Sequence, residues 1–233
     1  MAPVNRSDST QSATPRRTVV RHPPLRSQVA QIIREAIVNL EYEPGSVLIE
    51  RELCEMTQTS RASVREALRQ LEAEGLVEAR NGRGIMVRAV SADEARDLYE
   101  VRAELEGLAG RLFAERASAD EVAELHQALK ELVSAGRGSG EARAILDAQS
   151  RFYAILFQGA GNQFLDETVQ GIQWRVAQLR AVTLGVPGRI DASIDEFVQI
   201  VDRIDAGDLE GVREATRRHV MAAAEALRQV ASS

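Results

Sequence analysis

Residues 48–87 read LIERELCEMTQTSRASVREALRQLEAEGLVEARNGRGIMV, and their pattern predicts two short helices, a tight turn and a hairpin. In the second helix, four apolar residues have the spacing of a single buried face: Val64, Ala67, Leu68 and Leu71. Arg61 and Arg65 stand one turn apart on the opposite side, behind Ser60 as the N-cap. A capped helix with guanidinium groups in its first turns has the geometry of a recognition helix in the DNA major groove.

The segment after this helix predicts a wing. Gly75 ends the helix, a strand begins at Leu76, and Asn81-Gly82 is a strong signal for a two-residue hairpin turn. The hairpin carries three arginines, as expected of a wing that lies along phosphates or in a minor groove: Arg80, Arg83 and Arg88. The plainer alternative is a surface helix and hairpin whose arginines are solvated.

This block resembles the winged helix-turn-helix domain of the GntR family of bacterial transcription regulators. The family pattern is Leu-x-Glu-Arg-x-Leu, a short turn, Ser-Arg-x-x-Val-Arg-Glu-Ala-Leu, then Leu-x-x-Glu-Gly-Leu-Val and a Gly-rich wing. The chain matches it in order with Leu48, Glu50, Arg51, Leu53, Ser60, Arg61, Val64, Arg65, Glu66, Ala67, Leu68, Leu71, Glu74, Gly75, Leu76, Val77, Gly82, Arg83 and Gly84. The resemblance implies contacts to operator DNA from Arg51, Ser60, Arg61, Ala62, Arg65, Asn81, Gly82 and Arg83.

Two positions depart from the family pattern. Ile49 stands where a Ser usually caps the first helix of the motif, and Gln58-Thr59 replaces a Gly-Val turn. We therefore expect Gln58 to hold a positive φ angle at some cost in backbone strain.

Charge is divided unevenly along the 233 residues, of which 44% are hydrophobic and 27% charged. The first 90 residues contain 13 arginines and 11 acidic residues, whereas the remainder contains 16 basic and 24 acidic residues. A near-neutral N-terminal segment joined to an acidic C-terminal segment suits site-specific DNA binding through a small patch. It does not suit non-specific coating of nucleic acid, which needs a broad basic surface.

The remaining composition narrows the class of protein. A single cysteine, Cys54, excludes an internal disulfide, and the chain contains neither a long apolar run nor a signal peptide. We therefore expect a cytoplasmic protein with no membrane segment. Three His, no phosphate-binding loop and no nucleophile elbow leave no catalytic constellation, so we expect no enzyme.

Composition and hydrophobic periodicity divide the chain into three segments. Residues 1–20, rich in Ser, Thr, Arg and Pro, predict a disordered arm, and residues 21–89 predict the winged domain, which begins with an amphipathic helix over 25–40. Residues 90–233 contain helical patterns only, over about 92–116, 120–133, 141–158, 162–184, 189–206 and 208–230. The fold class is therefore mainly α, with an antiparallel bundle of about six or more helices after the winged domain.

The helical half resembles the FCD ligand-binding domain of FadR-type GntR regulators. The resemblance rests on Leu98, Tyr99, Val101, Arg102, Glu106, Phe152, Gly161, Asn162, Ala206, Gly207, Asp208 and His219. It implies a homodimer on a pseudo-palindromic double-stranded operator, with a small-molecule effector between the helices. The function expected is that of a ligand-responsive repressor. The alternatives are an activator of the same fold and a ligand-blind DNA-binding dimer with a solid bundle.

Many FCD domains bind a divalent cation through one Asp and three His. Counting from Gly161-Asn162 and Gly207-Asp208 places these four ligand positions at Gln149, Tyr153, Phe197 and His219. Gln, Tyr and Phe do not supply the anionic and imidazole ligands that a borderline metal prefers, so we predict no metal.

Loss of the metal leaves an uncharged polar and aromatic pocket as the expected effector site. Its expected residues are Arg102, Gln149, Tyr153, Phe197 and His219, with the Arg102 guanidinium placed to bind a carboxylate. The alternative for Arg102 is an intrahelical pair with Glu106, and for His219 a hydrogen-bonded place in the core. Three further arginines could also bind the effector but are expected to be solvated, like most charges on amphipathic helices: Arg151, Arg175 and Arg180.

Overall fold

The structure, a computed structural model, describes residues 24–80, 82, 84–138, 141–170 and 172–231. These residues form ten α-helices and one two-stranded antiparallel sheet, which confirms the mainly α fold. The predicted arm at 1–20, and the predicted DNA contacts Asn81 and Arg83, lie outside the described residues. Within the described ranges, no helix is long and apolar enough to cross a bilayer.

The first part of the chain forms the predicted winged helix-turn-helix. Its elements are α1 (Leu25–Val38), α2 (Glu50–Thr57), α3 (Arg61–Ala73), β1 (Val77–Arg80) and β2 (Gly84–Val87). The strands pair from Val77 opposite Val87 to Arg80 opposite Gly84, and Gly82 takes a φ of 77° in the turn. The stripe predicted on α3 is buried against α1 and α2, where Ile33, Ile37 and Leu53 complete a shared core.

The two departures from the family pattern lie at the two ends of α2. Gln58 has a φ of 51°, so the positive φ angle expected at this position is confirmed. Ile49 precedes α2 and offers no side-chain hydrogen bond to its first turn. The Ser60 hydroxyl, in contrast, accepts a hydrogen bond from the Ser63 amide at 3.2 Å and caps α3. The recognition helix is therefore the better capped of the two helices in the motif.

Seven helices follow: α4 (Ala92–Arg116), α5 (Ala119–Arg137), α6 (Ala142–Gly159), α7 (Gln163–Gln170), α8 (Gln173–Leu184), α9 (Arg189–Asp205) and α10 (Leu209–Ala231). Helices α4 and α5 both begin with capping boxes, formed by Ser91 with Glu94 and by Ser118 with Glu121. The single helix predicted over 162–184 is wrong, because this segment forms α7 and α8. The Ile172 amide donates to the Val169 carbonyl at 3.0 Å, a tight turn between the two helices, and the sequence places a glycine beside it, a poor helix former.

Helices α4 and α10 pack closely along much of their length because two glycines of α4 face α10. A Cβ atom added at Gly107 would lie 2.7 Å from Arg217 Cγ and 3.2 Å from the Arg213 carbonyl oxygen. A Cβ atom at Gly110 would lie 2.8 Å from Thr216 Oγ1, whose hydroxyl is buried and donates to the Val212 carbonyl at 2.9 Å. The helices can approach this closely only where side chains are absent.

We expect Gly110→Val to lower the free energy of unfolding by about 1–3 kcal/mol, since the extra carbons must push α10 away from α4. Thermal and urea unfolding would measure the loss. Gly185→Ala is the matched control, because a Cβ atom there makes only an ordinary 3.4 Å contact with the Val182 carbonyl. Equal stability of the two variants would contradict the close approach of α4 and α10.

Candidate DNA-reading surface and effector cavity

The predicted DNA contacts that the structure describes lie at the first turns of α2 and α3 and at the tip of the hairpin. All of them are exposed: Arg51, Ser60, Arg61, Ala62, Arg65 and Gly82. Arg65 Nε donates to Glu50 Oε1 at 2.8 Å, so the start of α2 and the second turn of α3 adjoin. The arrangement places several guanidinium groups on one solvent-facing side of the motif, as DNA binding requires.

The arginines of this surface differ in how they are held. Arg51 pairs with Glu55 at 2.8 Å, and Arg65 is held by Glu50 through its Nε atom. The hydrogen bond from Arg65 lowers the pKa of Glu50, which therefore stays ionised. Among the described residues, no carboxylate lies within ion-pair distance of Arg61. A guanidinium held through Nε keeps its two terminal nitrogens for the paired acceptors of a guanine edge.

A cavity of about 1640 Å³ lies between the helical bundle and the winged domain. Its inner walls come from α4, α6, α7 and α8, and its outer wall comes from α1 and the end of α3. Both domains therefore contribute to one space, and α1 also touches α8 directly.

The inner end of the cavity contains a buried cluster of charges. Arg102 Nε donates to Glu106 Oε1 at 2.8 Å, and both side chains are almost completely buried. Arg180 Nη2 lies 3.8 Å from the same carboxylate oxygen, and its guanidinium sits 4.1 Å from the centre of the Tyr153 ring. Two guanidiniums and one carboxylate give this cluster one net positive charge, because guanidinium groups do not lose their proton in proteins.

The pKa values of the pair reflect the competition between burial and attraction. Burial alone would favour the neutral form of each group, but Glu106 raises the pKa of Arg102 above its ordinary value. In the same way burial opposes ionisation of Glu106, and the attraction of Arg102 and Arg180 outweighs it and lowers the pKa of Glu106. Burial and the nearby Glu106 charge raise the pKa of Tyr153, so its hydroxyl stays protonated and can donate.

Several polar atoms of this cluster make no well-formed hydrogen bond within the described part of the chain, although the Tyr153 hydroxyl lies close enough to Glu106 to help lower the pKa of that carboxyl. They are Arg102 Nη1, Glu106 Oε2, Tyr153 Oη and, beside the cavity, Tyr99 Oη. A buried polar atom without a partner costs about 1–3 kcal/mol. A ligand that accepts from Arg102 and donates to Glu106 would remove that cost, so the cluster is suited to an anion that also carries a hydroxyl group.

The structure separates the five predicted effector residues into two groups. Arg102 and Tyr153 line the cavity, and Arg102 also forms the intrahelical pair that was the alternative for it. Gln149, Phe197 and His219 are buried and do not lie on the cavity wall. His219 Nδ1 lies 2.6 Å from Glu196 Oε2, so His219 takes the alternative position, hydrogen-bonded in the core. The effector-binding role of these three residues stays a prediction, and they would act on the ligand only through the residues that line the cavity.

The expectation that Arg180 is solvated is wrong, since only 14% of its side chain is exposed and it lines the cavity. Its neighbours on α8 could have indicated this: Val176, Leu179 and Thr183 are buried and recur with helical spacing around it. The sequence alone does not show that this face of α8 meets a cavity and not bulk water. The sequence indicates Glu106 only as the intrahelical partner of Arg102, because its contact with Arg180 depends on the tertiary fold.

The four positions of the family's metal ligands come together only in part, and their side chains do not fit a metal. The rings of Tyr153, Phe197 and His219 form a cluster, with 4.4 Å between the Phe197 and His219 centres and 5.7 Å between those of Tyr153 and Phe197. Phenylalanine has no donor atom, and the His219 imidazole already binds Glu196, which Arg189 contacts at 2.8 Å. Within the described ranges, no three His, Cys, Asp or Glu side chains gather where they could hold a cation.

Two family profiles match the chain. Residues 25–87 match the profile described as bacterial regulatory proteins, gntR family, and residues 97–222 match the FCD domain. A probable D-xylose utilization operon transcriptional repressor of Paenarthrobacter nicotinovorans is 30% identical over 202 residues, which cover 84% of this chain and 85% of that protein. The Uxu operon transcriptional regulator of Escherichia coli strain K12 is 33% identical over 168 residues, covering 64% and 63% of the two chains. Among solved structures, E. coli McbR/YncC has a TM-score of 0.79 at 22% identity, over 89% of this chain and 99% of that chain, and so supports the fold.

We expect the purified protein to contain far less than one equivalent of transition metal, because the donor set does not fit one. Elemental analysis and thermal melts with added Zn²⁺, Ni²⁺ or Mn²⁺ would measure this. The triple variant Gln149→Asp, Tyr153→His and Phe197→His is the positive control, since it restores the ligand types of the family and should gain stability with metal. A stoichiometric metal in the unaltered protein would overturn the predicted loss of the site.

We expect the stability of the protein to fall as the pH decreases below about 7, in part because of His219. Burial lowers the pKa of His219, more than the attraction of Glu196 raises it. Below the ordinary pKa of about 6.5, the unfolded chain therefore binds a proton that the folded chain does not bind. His219→Gln should reduce the slope of unfolding free energy against pH by up to about 1.4 kcal/mol per pH unit between about pH 6.5 and 5. Equal slopes for the two proteins would show that His219 is not buried in its neutral form.

Proposed function

The chain belongs to the gntR family of bacterial regulatory proteins with an FCD domain and is a DNA-binding transcriptional regulator, and we propose that it is a repressor which a small carboxylate metabolite releases from its operator. The observation that carries the proposal is the net positive cluster of Arg102, Arg180 and Glu106 in a cavity that both domains line. A cytoplasmic location is part of the proposal, because the operator lies there.

The winged domain is the DNA reader in this proposal. Arg61 and Arg65 enter the major groove from α3, with Ser60 and Ala62 beside them, and Arg51 contacts the backbone from α2. The wing contributes Asn81, Gly82 and Arg83. The protein acts as a homodimer, whose symmetry matches a pseudo-palindromic operator.

The FCD domain is the effector-binding part, and its anchor for a carboxylate is the pair of guanidiniums. Arg102 Nη1 lacks a partner among the described residues, and Arg180 makes only a long contact with Glu106, so both can donate to an acid. Gln149, Phe197 and His219 support this site from the core side, where Phe197 and His219 pack behind the Tyr153 ring. No metal and no catalytic step is part of the proposal.

The alternatives are weighed by the same observations. A ligand-blind dimer with a solid bundle is disfavoured by a cavity of about 1640 Å³ that carries buried polar atoms without partners. An activator of the same fold would use the same contacts. Repression is favoured because the similar proteins include a probable transcriptional repressor of a D-xylose utilization operon and a repressor named RspR from E. coli.

The DNA-reading half of the proposal is tested by Arg65→Ala, with Arg69→Ala as the matched control one turn further along α3. The operator is first selected from random duplexes with the unaltered protein, and the affinity of each variant is then measured by fluorescence anisotropy. We expect Arg65→Ala to lose about tenfold or more in affinity for the operator and to relax the preference at one base pair. Arg69→Ala should weaken binding less and without changing the preferred sequence.

Glu50→Gln separates the positioning of Arg65 from its charge. We expect this variant to discriminate less between the operator and an unrelated duplex, because Arg65 loses the carboxylate that fixes its Nε atom. If Arg65→Ala and Arg69→Ala have the same effect on every sequence, α3 is not the recognition helix.

A further inference from the structure

The cavity has a second end that belongs to the winged domain. There its wall is formed by Gln31 and Arg34 of α1 and by Glu74 at the end of α3. A ligand anchored at Arg102 and Arg180 therefore lies in the same space as the end of the recognition helix. Helix α8, which carries Arg180, also contacts α1 of the winged domain directly.

One ion pair ties the two helices of the reader together at this end. Arg34 Nη2 lies 2.7 Å from Glu74 Oε2, with 23% of the Arg34 side chain and 32% of the Glu74 side chain exposed. Glu74 is the residue that ends α3, and its other carboxylate oxygen accepts from Gln70 Nε2 at 3.0 Å. Arg34 also donates to Gln31 on its own helix. The pair faces the cavity and is open enough to water for another carboxylate to replace Glu74.

The charges that line the cavity are balanced, with five arginines and five carboxylates, which favours replacement over simple addition. Among the described residues, Arg143 has ion-pair contacts that are long, 3.8 Å to Glu41 and 3.9 Å to Asp147. Asp147 and Asp166 also line the cavity and offset the arginines. An anion gains little from the overall field of such a surface, but it gains a charge-assisted hydrogen bond when it takes the place of an existing carboxylate.

We propose that the effector is a dicarboxylate that spans the domain boundary, with one carboxylate on Arg102 and Arg180 and the other on Arg34 in exchange for Glu74. The inference rests on the proposed function, since it needs the carboxylate anchor in the bundle. The exchange removes the ion pair that joins the end of α3 to α1, while their shared apolar core stays in place, and so links occupancy of the cavity to the end of the recognition helix. Arg34, a residue of the DNA-binding domain, is then a specificity-determining residue for the effector.

The test is isothermal titration of the full-length protein with acids that are matched in length: succinate against butyrate, adipate against hexanoate, and suberate against octanoate. We expect the diacid of fitting length to bind about tenfold more tightly than its monoacid, because its second carboxylate takes over the hydrogen bond of Arg34. The displaced Glu74 carboxylate, already 32% exposed, is then hydrated by water. The series is needed because the diacid must be long enough to reach from the anchor to Arg34.

Two variants of the ion pair should act in opposite directions on the diacid. Arg34→Gln should abolish the advantage of the diacid over the monoacid, whereas Glu74→Gln should increase it because the competing carboxylate is gone. Neither variant should change the affinity for the monoacid. An ion pair that only holds the fold would move both variants in the same direction. Arg26→Gln, an exposed position on α1, is the control and should leave all affinities unchanged.

The remaining outcomes distinguish this inference from the proposed function. Arg180→Gln should weaken binding of monoacid and diacid alike, since it removes part of the anchor. If Arg180→Gln does so but Arg34→Gln behaves as Arg26→Gln does, the effector does not span the boundary and the anchor stands. If the unaltered protein binds none of these acids, the carboxylate anchor and the spanning effector are both wrong. Should Arg34→Gln fail to fold, the tighter diacid binding expected of Glu74→Gln decides the question alone.

Discussion

Two guanidiniums and one carboxylate share the interior of the helical bundle, and the rest of the site depends on how that charge is balanced. Breaking a buried ion pair by removing one partner typically costs about 3–5 kcal/mol, so Arg102 and Glu106 depend on each other. The cluster keeps one positive charge in excess, and several of its polar atoms have no partner among the described residues. An anion is the ligand that this imbalance favours most. The guanidiniums alone can in this way select an acid.

Because both domains line the cavity, a bound ligand can contact the DNA-binding domain directly and affect DNA binding. The cavity is bounded by the bundle on one side and by α1 and the end of α3 on the other. A ligand shifts the reader only if it binds one arrangement of the two domains better than another. Arg180 on α8 and Arg34 on α1 provide such a difference, because the distance between them is set by how the domains sit. The close approach of α4 and α10 at Gly107 and Gly110 gives the ligand a tightly packed bundle to bind against.

Local signals made most of the fold predictable. Ser60, the stripe on α3 and the Asn81-Gly82 turn act over a few residues, so the sequence alone predicts helix, cap and hairpin. The break between α7 and α8 was missed because one glycine inside an apolar pattern is weak evidence for a helix end. The site was harder to predict, since Arg180 is buried by helices far from it in sequence and Phe197 and His219 pack behind Tyr153 and off the cavity wall. The division of the chain at residue 90 and the roles of the individual site residues stay predictions.

The most direct measurement of the central claim is the reciprocity between acid and operator. The affinity of the protein for its operator is measured with and without the acid that binds most tightly, and the affinity for that acid is measured with and without saturating operator. The account predicts that the acid weakens operator binding, and that the operator weakens acid binding by the same factor, as linkage requires. Equal acid affinity for the free and the operator-bound protein would contradict it, because the cavity would then bind a ligand without acting on the reader.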